Sequence, residues 1–257
     1  MSDTALVGRQ LVYEQRTFWR NPASAFFAFL FPVIFLVVFA TIFKDTKIRF
    51  GNVSVAYDDY YIPALTAFGV IGATFTNLAA SLSIRRDSGL LKRMRGTPLP
   101  TWAFLSGVIG SSLIVSALLA AFTIVFGVLV YNVHIPQHLL AMVVGLSVGA
   151  ICFCAMGLAM TVFIPNAEAA PAIINGVLLP LVFISGTFFP IDAGSIVYKI
   201  AEYFPVRHFI NAMYNGFDPA HLSTSGWSGN DLLIMLGWGA VALLLSVRRF
   251  RWEPRPA

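Results

Sequence analysis

Arg85 to Pro100 reads R-R-D-S-G-L-L-K-R-M-R-G-T-P-L-P. Five of these sixteen residues are Lys or Arg (Arg85, Arg86, Lys92, Arg93, Arg95), and the apolar runs on either side contain none. A charged segment between two long uncharged runs is the pattern of a loop in water on one side of a membrane.

The composition of the 257-residue chain agrees: 58% of residues are hydrophobic and 11% charged, against about 25% charged in ordinary soluble domains. That leaves too little charge to solvate a globule. About 20 apolar residues cross a hydrocarbon core of about 30 Å, and six stretches qualify: Ala23 to Phe43, Tyr61 to Ile84, Thr101 to Val130, Leu139 to Ile164, Ala169 to Phe189 and Asp231 to Val247. They are continuous and do not alternate with a period of two, which excludes a barrel. The expected fold is therefore an all-α integral membrane protein with a six-span domain over residues 23–247.

The formal net charge is +5, and its position argues for membrane topology and not for nucleic acid. Twelve of the seventeen Lys and Arg lie in the N-terminal arm (Arg9, Arg16, Arg20), the opening segment and the tail (Arg248, Arg249, Arg251, Arg255). By the positive-inside rule all three face the cytoplasm, so both termini are expected inside a multi-pass chain in a plasma membrane of bacterial type. Lys44, Lys47, Arg49, Lys199 and Arg207 then fall outside.

Residues 1–22 are expected to form a cytoplasmic interfacial helix, with Val7, Leu11 and Phe18 on one stripe and Arg9, Arg16 and Arg20 opposite. The first apolar run is too long for a signal-peptide core and is expected to be a retained span. Small residues in the second run (Gly69, Gly72, Ala73) allow a close helix approach. The long segment Ile191 to Asn230 has an apolar periodicity (Ile196, Ile200, Tyr203, Phe204) too short and polar to span, which predicts a re-entrant or interfacial piece at the outer mouth. Residues 248–257 form a basic cytoplasmic tail.

Chemistry-bearing motifs are few. Cys152 and Cys154 point about 200° apart on a helix and read as packing residues. His134 and His138 flank Pro136 with no third ligand nearby, so turn residues are favoured over a metal site. Glu168, between the fourth and fifth runs, is an interfacial carboxylate or a second, smaller cytoplasmic contact. Asn52 heads a glycosylation triplet that carries no weight. The middles of the six runs hold no charge, which removes the residues that mark proton relays and intramembrane catalysis. Neither H-E-x-x-H nor G-x-x-x-x-G-K-[ST] occurs, so no catalytic site is expected in this chain, and any nucleotide chemistry belongs to another polypeptide.

Read as a helix, Arg86 to Arg95 places Leu90, Leu91 and Met94 on one stripe, with Lys92 and Arg95 opposite. Gly96-Thr97-Pro98 then stops it. A short amphipathic helix on a turn suits a groove on a soluble partner; an ordinary positive-inside loop is the other reading of the same charge.

The run Arg86-Asp87-Ser88-Gly89-Leu90-Leu91-Lys92-Arg93-Met94-Arg95-Gly96-Thr97-Pro98 resembles the acid-x-G-T-L-x-x-L-x-x-T-P coupling segment of ABC transporter permeases of type 2, exporters of drugs, lipids and polysaccharides. The likeness extends over the chain: an interfacial N-terminal helix, six spans, this segment between spans two and three, and Ser185-Gly186-Thr187-Phe188-Phe189-Pro190 before an outer re-entrant piece. Asp87 stands where Glu is usual and Leu90 where Thr is usual.

The resemblance implies two permease copies, as homodimer or heterodimer, bound to two P-loop ATPase subunits that carry ATP and Mg, with no cofactor in this chain. It implies ATPase coupling through Arg86, Asp87, Gly89, Leu90, Leu91, Lys92, Arg93, Met94, Arg95, Thr97 and Pro98. Substrate would pass between the copies along spans two and five, with Phe68, Phe75, Asn77, Phe183, Ser185, Phe188 and Phe189 as cavity candidates. Their apolar, aromatic character favours amphiphilic drugs or lipids, with polysaccharide or glycolipid as the alternative within the family. An ATP-independent carrier or channel subunit is the alternative outside it.

Overall fold

In the computed structural model of the chain, residues 3–43, 46–50, 53–96, 99–189, 191, 194–218 and 225–250 are described. Thr97, Pro98, Pro190, Asn52 and the tail beyond residue 250 lie outside them.

The described residues form eleven α-helices and one hairpin. In chain order they are α1 (Asp3–Trp19), α2 (Pro22–Ile42), β1 (Lys47–Phe50), β2 (Val53–Ala56), α3 (Tyr57–Ile71), α4 (Asn77–Asp87), α5 (Leu90–Arg95), α6 (Thr101–Tyr131), α7 (Leu139–Met160), α8 (Ala170–Ile184), α9 (Ile196–Ala201), α10 (Pro205–Phe217) and α11 (Gly229–Arg249). One wide π turn, Gly72–Thr76, joins α3 to α4 without a break. Four helices are long and apolar enough to cross a membrane: the rod Asp59–Asp87, α6, α7 and α11. Ala28–Ile42 in α2 and the whole of α8 are shorter apolar stretches.

The rod from α3 to α4 is the centre of the bundle, with α2, α6, α7, α8 and α10 packed around it. Leu65, Ala67, Val70 and Ala79 along it are fully buried. Three of its buried hydroxyls are satisfied internally: Thr66, Thr74 and Ser83 each donate to the carbonyl four residues back, at 2.8, 2.6 and 2.8 Å. Such back-bonding lets hydroxyl residues sit where water cannot reach.

Small residues set the approaches to this rod. A Cβ at Gly157 of α7 would lie 2.8 Å from the Phe75 carbonyl oxygen and 3.1 Å from its Cα. The π turn pushes its widened backbone against α7 at that point, and only glycine leaves room. A Cβ on Gly69 would meet Leu119 of α6 at 2.5 Å, so the close approach expected from small residues holds here. Gly72 has nothing within 4 Å and faces a cleft.

The mostly helical chain agrees with the all-α expectation and adds one short hairpin, in which Lys47↔Ala56, Ile48↔Val55, Arg49↔Ser54 and Phe50↔Val53 pair antiparallel between the first apolar run and α3. Other expectations are corrected. The fourth run is helical only to Met160 and not to Ile164, and the fifth only from Ala170 to Ile184 and not to Phe189. After Ile184 the chain turns through Gly186 at φ +82°, a left-handed backbone that suits glycine, and Ser185, Thr187 and Phe188 fold back into the core. The piece expected at a mouth is α9 plus α10. Pro205, Val206, Phe209, Ile210, Met213 and Phe217 of α10 are buried against α7, α11 and α3.

The α1 face also departs from expectation. The residues it buries are Gln10 and Glu14, while Val7, Leu11 and Phe18 are half-buried. A polar inner face is possible because every group on it has a partner, described below.

Replacing Gly157 by Ala should destabilise the protein by about 1–3 kcal/mol, the usual cost of overpacking. Gly237→Ala on α11, with open space at its Cβ, should be neutral or stabilising by up to about 1 kcal/mol through helix propensity. Thermal unfolding in the same detergent compares them; equal effects would remove the close-approach account.

Candidate functional site

The basic segment folds as two short pieces joined at a sharp corner. α4 runs to Asp87, Ser88 and Gly89 turn the chain with Gly89 at φ +71°, and α5 starts at Leu90. The single helix expected over 86–95 is therefore broken, because the Ser-Gly pair supplies a left-handed residue. Arg93 N–H donates to the Gly89 carbonyl at 3.1 Å and closes the first turn of α5.

Three residues of the expected coupling segment are engaged inside the chain instead, Leu91 of the apolar stripe among them. Leu91 is 0% exposed and packs with Leu78, Leu82, Phe104, Val108 and Leu158. Arg86, 3% exposed, donates to the carbonyls of Thr161 at 2.8 Å and Ile164 at 2.7 Å. Asp87 accepts the backbone N–H of Ala167. Together Arg86 and Asp87 staple the end of α4 to the turn between α7 and α8. Glu168 on that turn is exposed.

Arg85 faces α1. Its guanidinium makes a two-pronged bond to the Glu14 carboxylate, at 2.8 and 2.6 Å, and Glu14 is 4% exposed. Gln10 Nε2 donates to the same carboxylate at 2.9 Å, and Gln15 Nε2 reaches the carbonyl and hydroxyl of Ser111 on α6, each at 3.0 Å. Gly107 and Gly110 of α6 let α1 settle this close, for a Cβ at Gly107 would meet Gln10 at 2.4 Å. Glu14 is 71 residues from its partner, and its only sequence signal was a place one turn after Gln10 opposite the arginines.

What remains exposed at the corner is Leu90, 40% exposed, with Lys92 and Arg93, while Met94 is half-buried. Leu90 and Met94 border a 270 Å³ hollow with Gln10, Tyr13, Thr17 and Arg85. Tyr13, which sequence reading missed, stands 58% exposed beside them. Arg95 closes α5 and Gly96 caps it.

A cleft of about 440 Å³ opens between α2, the π turn, α6 and α8, and includes Phe31, Phe68, Gly72, Asn77 and Leu178 in its wall. Of the seven cavity candidates, Phe68 and Asn77 lie on it. Phe75 is 3% exposed in the core. Phe188 is buried in an aromatic cluster, with ring centroids 5.5 Å from Phe68, 5.7 Å from Phe35 and 5.0 Å from Phe183; Phe183 and Phe189 are half exposed at its edge. Ser185 is buried and donates back to the Leu181 carbonyl.

At the hairpin end, hydrogen bonds hold the 185–189 turn. Tyr60 donates to the Gly186 carbonyl at 2.5 Å, Tyr57 to that of Phe188 at 2.8 Å, and Arg207 to that of Ser185 at 3.1 Å. His134 and His138 are loop residues, each near an aspartate: Asp59 at 3.0 Å and Asp218 at 3.7 Å. Among the described residues no three His, Cys, Asp or Glu side chains gather to hold a metal. His208 of α10 is buried between Asp231 at 2.5 Å and the Glu202 carbonyl at 2.7 Å. Burial alone lowers its pKa. The hydrogen bonds to Asp231 and to the Glu202 carbonyl, with both carboxylates' charge, outweigh that and raise it above the ordinary value.

A family model described as ABC-2 type transporter matches residues 5–217. A protein of Bacillus subtilis (strain 168) named "Putative transport permease YvfS" is 22% identical over 243 residues, which cover 93% of this chain and 94% of that protein.

Because His208 titrates at higher pH folded than unfolded, its pairing stabilises fully below about pH 6.5, the unfolded value, and the contribution is lost as pH rises through the folded pKa. The Tm gap between the wild type and His208→Asn should therefore narrow as pH rises from about 6. A gap that stays constant or widens would contradict the charged pair.

Proposed function

The chain belongs to the ABC-2 type transporter family, and from that membership we propose that it is the membrane-spanning permease subunit of an ATP-driven exporter, coupled to separate P-loop ATPase subunits. α2, the α3–α4 rod, α6, α7, α8 and α11 serve as the six spans, with residues 1–22 as the interfacial helix and 248–257 as a basic cytoplasmic tail. By the positive-inside rule the basic ends support a cytoplasmic position for α1, α5 and both termini. The similarity to a transport permease over nearly the whole of both chains supports the reading, as does the lack of any phosphate-cradling loop.

The observation that carries the proposal is the α4–α5 corner. It presents Leu90, Met94 and Tyr13 around a hollow, with Lys92 and Arg93 exposed on the same short helix, apolar anchors accompanied by charge. Behind that surface every attachment leads into the bundle: Leu91 into the core, Arg86 and Asp87 to the α7–α8 turn, Arg85 to α1. A partner that moves α5 as it binds ATP and Mg therefore moves the central rod, α1 and the α7–α8 turn together. ATP can shift such an equilibrium only through differential binding to its two states, and this corner is where the difference would be applied. Two copies would frame the pathway with their clefts, Phe68 and Asn77 on the wall, for an amphiphilic cargo. The Phe183, Phe188 and Phe189 cluster, held by Tyr57, Tyr60 and Arg207, would close its outer end.

Leu90→Asp with Met94→Asp should abolish co-purification of the ATPase while the permease still inserts and elutes as a folded species. Leu91→Asp should instead lower folded yield, because it buries a carboxylate in an apolar cluster. Survival of the complex in the Leu90 and Met94 double variant would remove the docking role.

A further inference from the structure

The 440 Å³ cleft does not end at the π turn. A second recess of about 300 Å³ continues it toward α1, and the two share Phe18, Asn77, Ala80 and Val115 in their walls. Each falls within the roughly 300–1,000 Å³ usual for ligand sites. Their linings differ in kind. The upper part is bounded by Phe31, Pro32, Phe68, Leu178 and Leu179, the lower by Thr17, Asn21, Ser81, Ser111 and Ser112 with the Glu14–Arg85 pair.

Several polar side chains in this space, Ser112 and Asn77 among them, have no protein partner among the described residues. Ser112, 5% exposed, lines the recess, and its hydroxyl makes no hydrogen bond among the described residues, unlike Ser116 one turn on, which donates to the Leu113 carbonyl at 2.9 Å. The Asn77 amide, common to both parts, likewise makes none among the described residues. Both groups are open to the cavity and not sealed in the packing, so a hydroxyl and an amide at the junction of a polar and an apolar space stand ready to bond an occupant. Glu14 and Arg85 neutralise each other here; an anionic head would meet the Glu14 carboxylate, and a cationic one the Arg85 guanidinium.

We propose that this two-part space holds one lipid amphiphile, its uncharged or zwitterionic head in the recess under α1, bonded to Ser112 and Asn77, and its tail in the cleft along Phe68 and Leu178. α1 forms the floor of the recess, which puts the polar part at the depth of an interfacial helix and the apolar part at the depth of acyl chains. The ligand thus lies as it would in the adjoining leaflet. The inference rests on reading the bundle as membrane-spanning and not on ATP-driven export.

The test uses the intact permease in nanodiscs of mixed phosphatidylethanolamine and phosphatidylglycerol, doped with phosphatidylethanolamine carrying a diazirine at the end of one acyl chain. After irradiation, label should concentrate on the peptides that contain Phe68 and Leu178. It should fall about five-fold in Ser112→Ala, the usual worth of one hydrogen bond, and further in Ser112→Phe, which fills the recess. The matching phosphatidylglycerol probe should label these peptides no more than the exposed α11 surface around Leu243. Label spread evenly over exposed helices, label indifferent to both Ser112 variants, or preference for the anionic probe would each overturn the proposal. ATPase capture is scored separately: its failure with labelling intact rejects the exporter reading and leaves the lipid site standing.

Discussion

A carboxylate that is 4% exposed on a helix packed against an apolar bundle survives only with a charge of opposite sign and filled lone pairs. Glu14 has both, in the two-pronged bond from Arg85 and the amide of Gln10. Breaking such a pair leaves a buried charge uncompensated, at a cost of about 3–5 kcal/mol. The bond therefore fixes where α1 lies, and much else follows from that position. Tyr13 comes to stand beside Leu90 and Met94, Thr17 and Phe18 close the recess under the cleft, and Gln15 reaches α6.

The next residue repeats the device on the other side. Successive positions on a helix point about 100° apart, so Arg85 and Arg86 at the end of one rod reach different neighbours, α1 and the turn after α7. α4 thus ends in a hub with one buried and one half-buried guanidinium group, and α5 hangs from it on a left-handed glycine with Leu91 as its anchor. Interiors packed this closely shift between discrete arrangements and do not deform smoothly. A push on Leu90 and Met94 would therefore reach three elements at once, as the proposed coupling to a separate ATPase requires.

The long apolar helices were legible because a continuous apolar run has few other uses, and α6 and α11 fall within two residues of the apolar runs read from the sequence. The ends of the fourth and fifth runs were not, since residues 161–164 and 185–189 are as apolar as a helix while folding as turns. Hairpin alternation was present in K-I-R-F and V-S-V-A but was overshadowed by the loop's mixed charge. At the corner, Ser88-Gly89 carried the signal for a break, yet the 3.6-residue spacing of Leu90, Leu91 and Met94 read through it. Tertiary packing decided which of them turned inward. Glu14 had no readable partner because pairing across 71 residues leaves no local trace. Among the aromatics, frequency hid function: with 23 Phe in the chain, only the fold separates Phe68 on the cleft wall from Phe75 in the core.

The account depends most on the Glu14–Arg85 bond setting the surface that receives the ATPase, and a charge-reversal cycle measures this directly. ATPase capture would be compared for the wild type, Glu14→Arg, Arg85→Glu and the double reversal. The account predicts that each single reversal loses capture and that the double variant regains most of it. A double variant as defective as the singles, or singles that capture as well as the wild type, would contradict it.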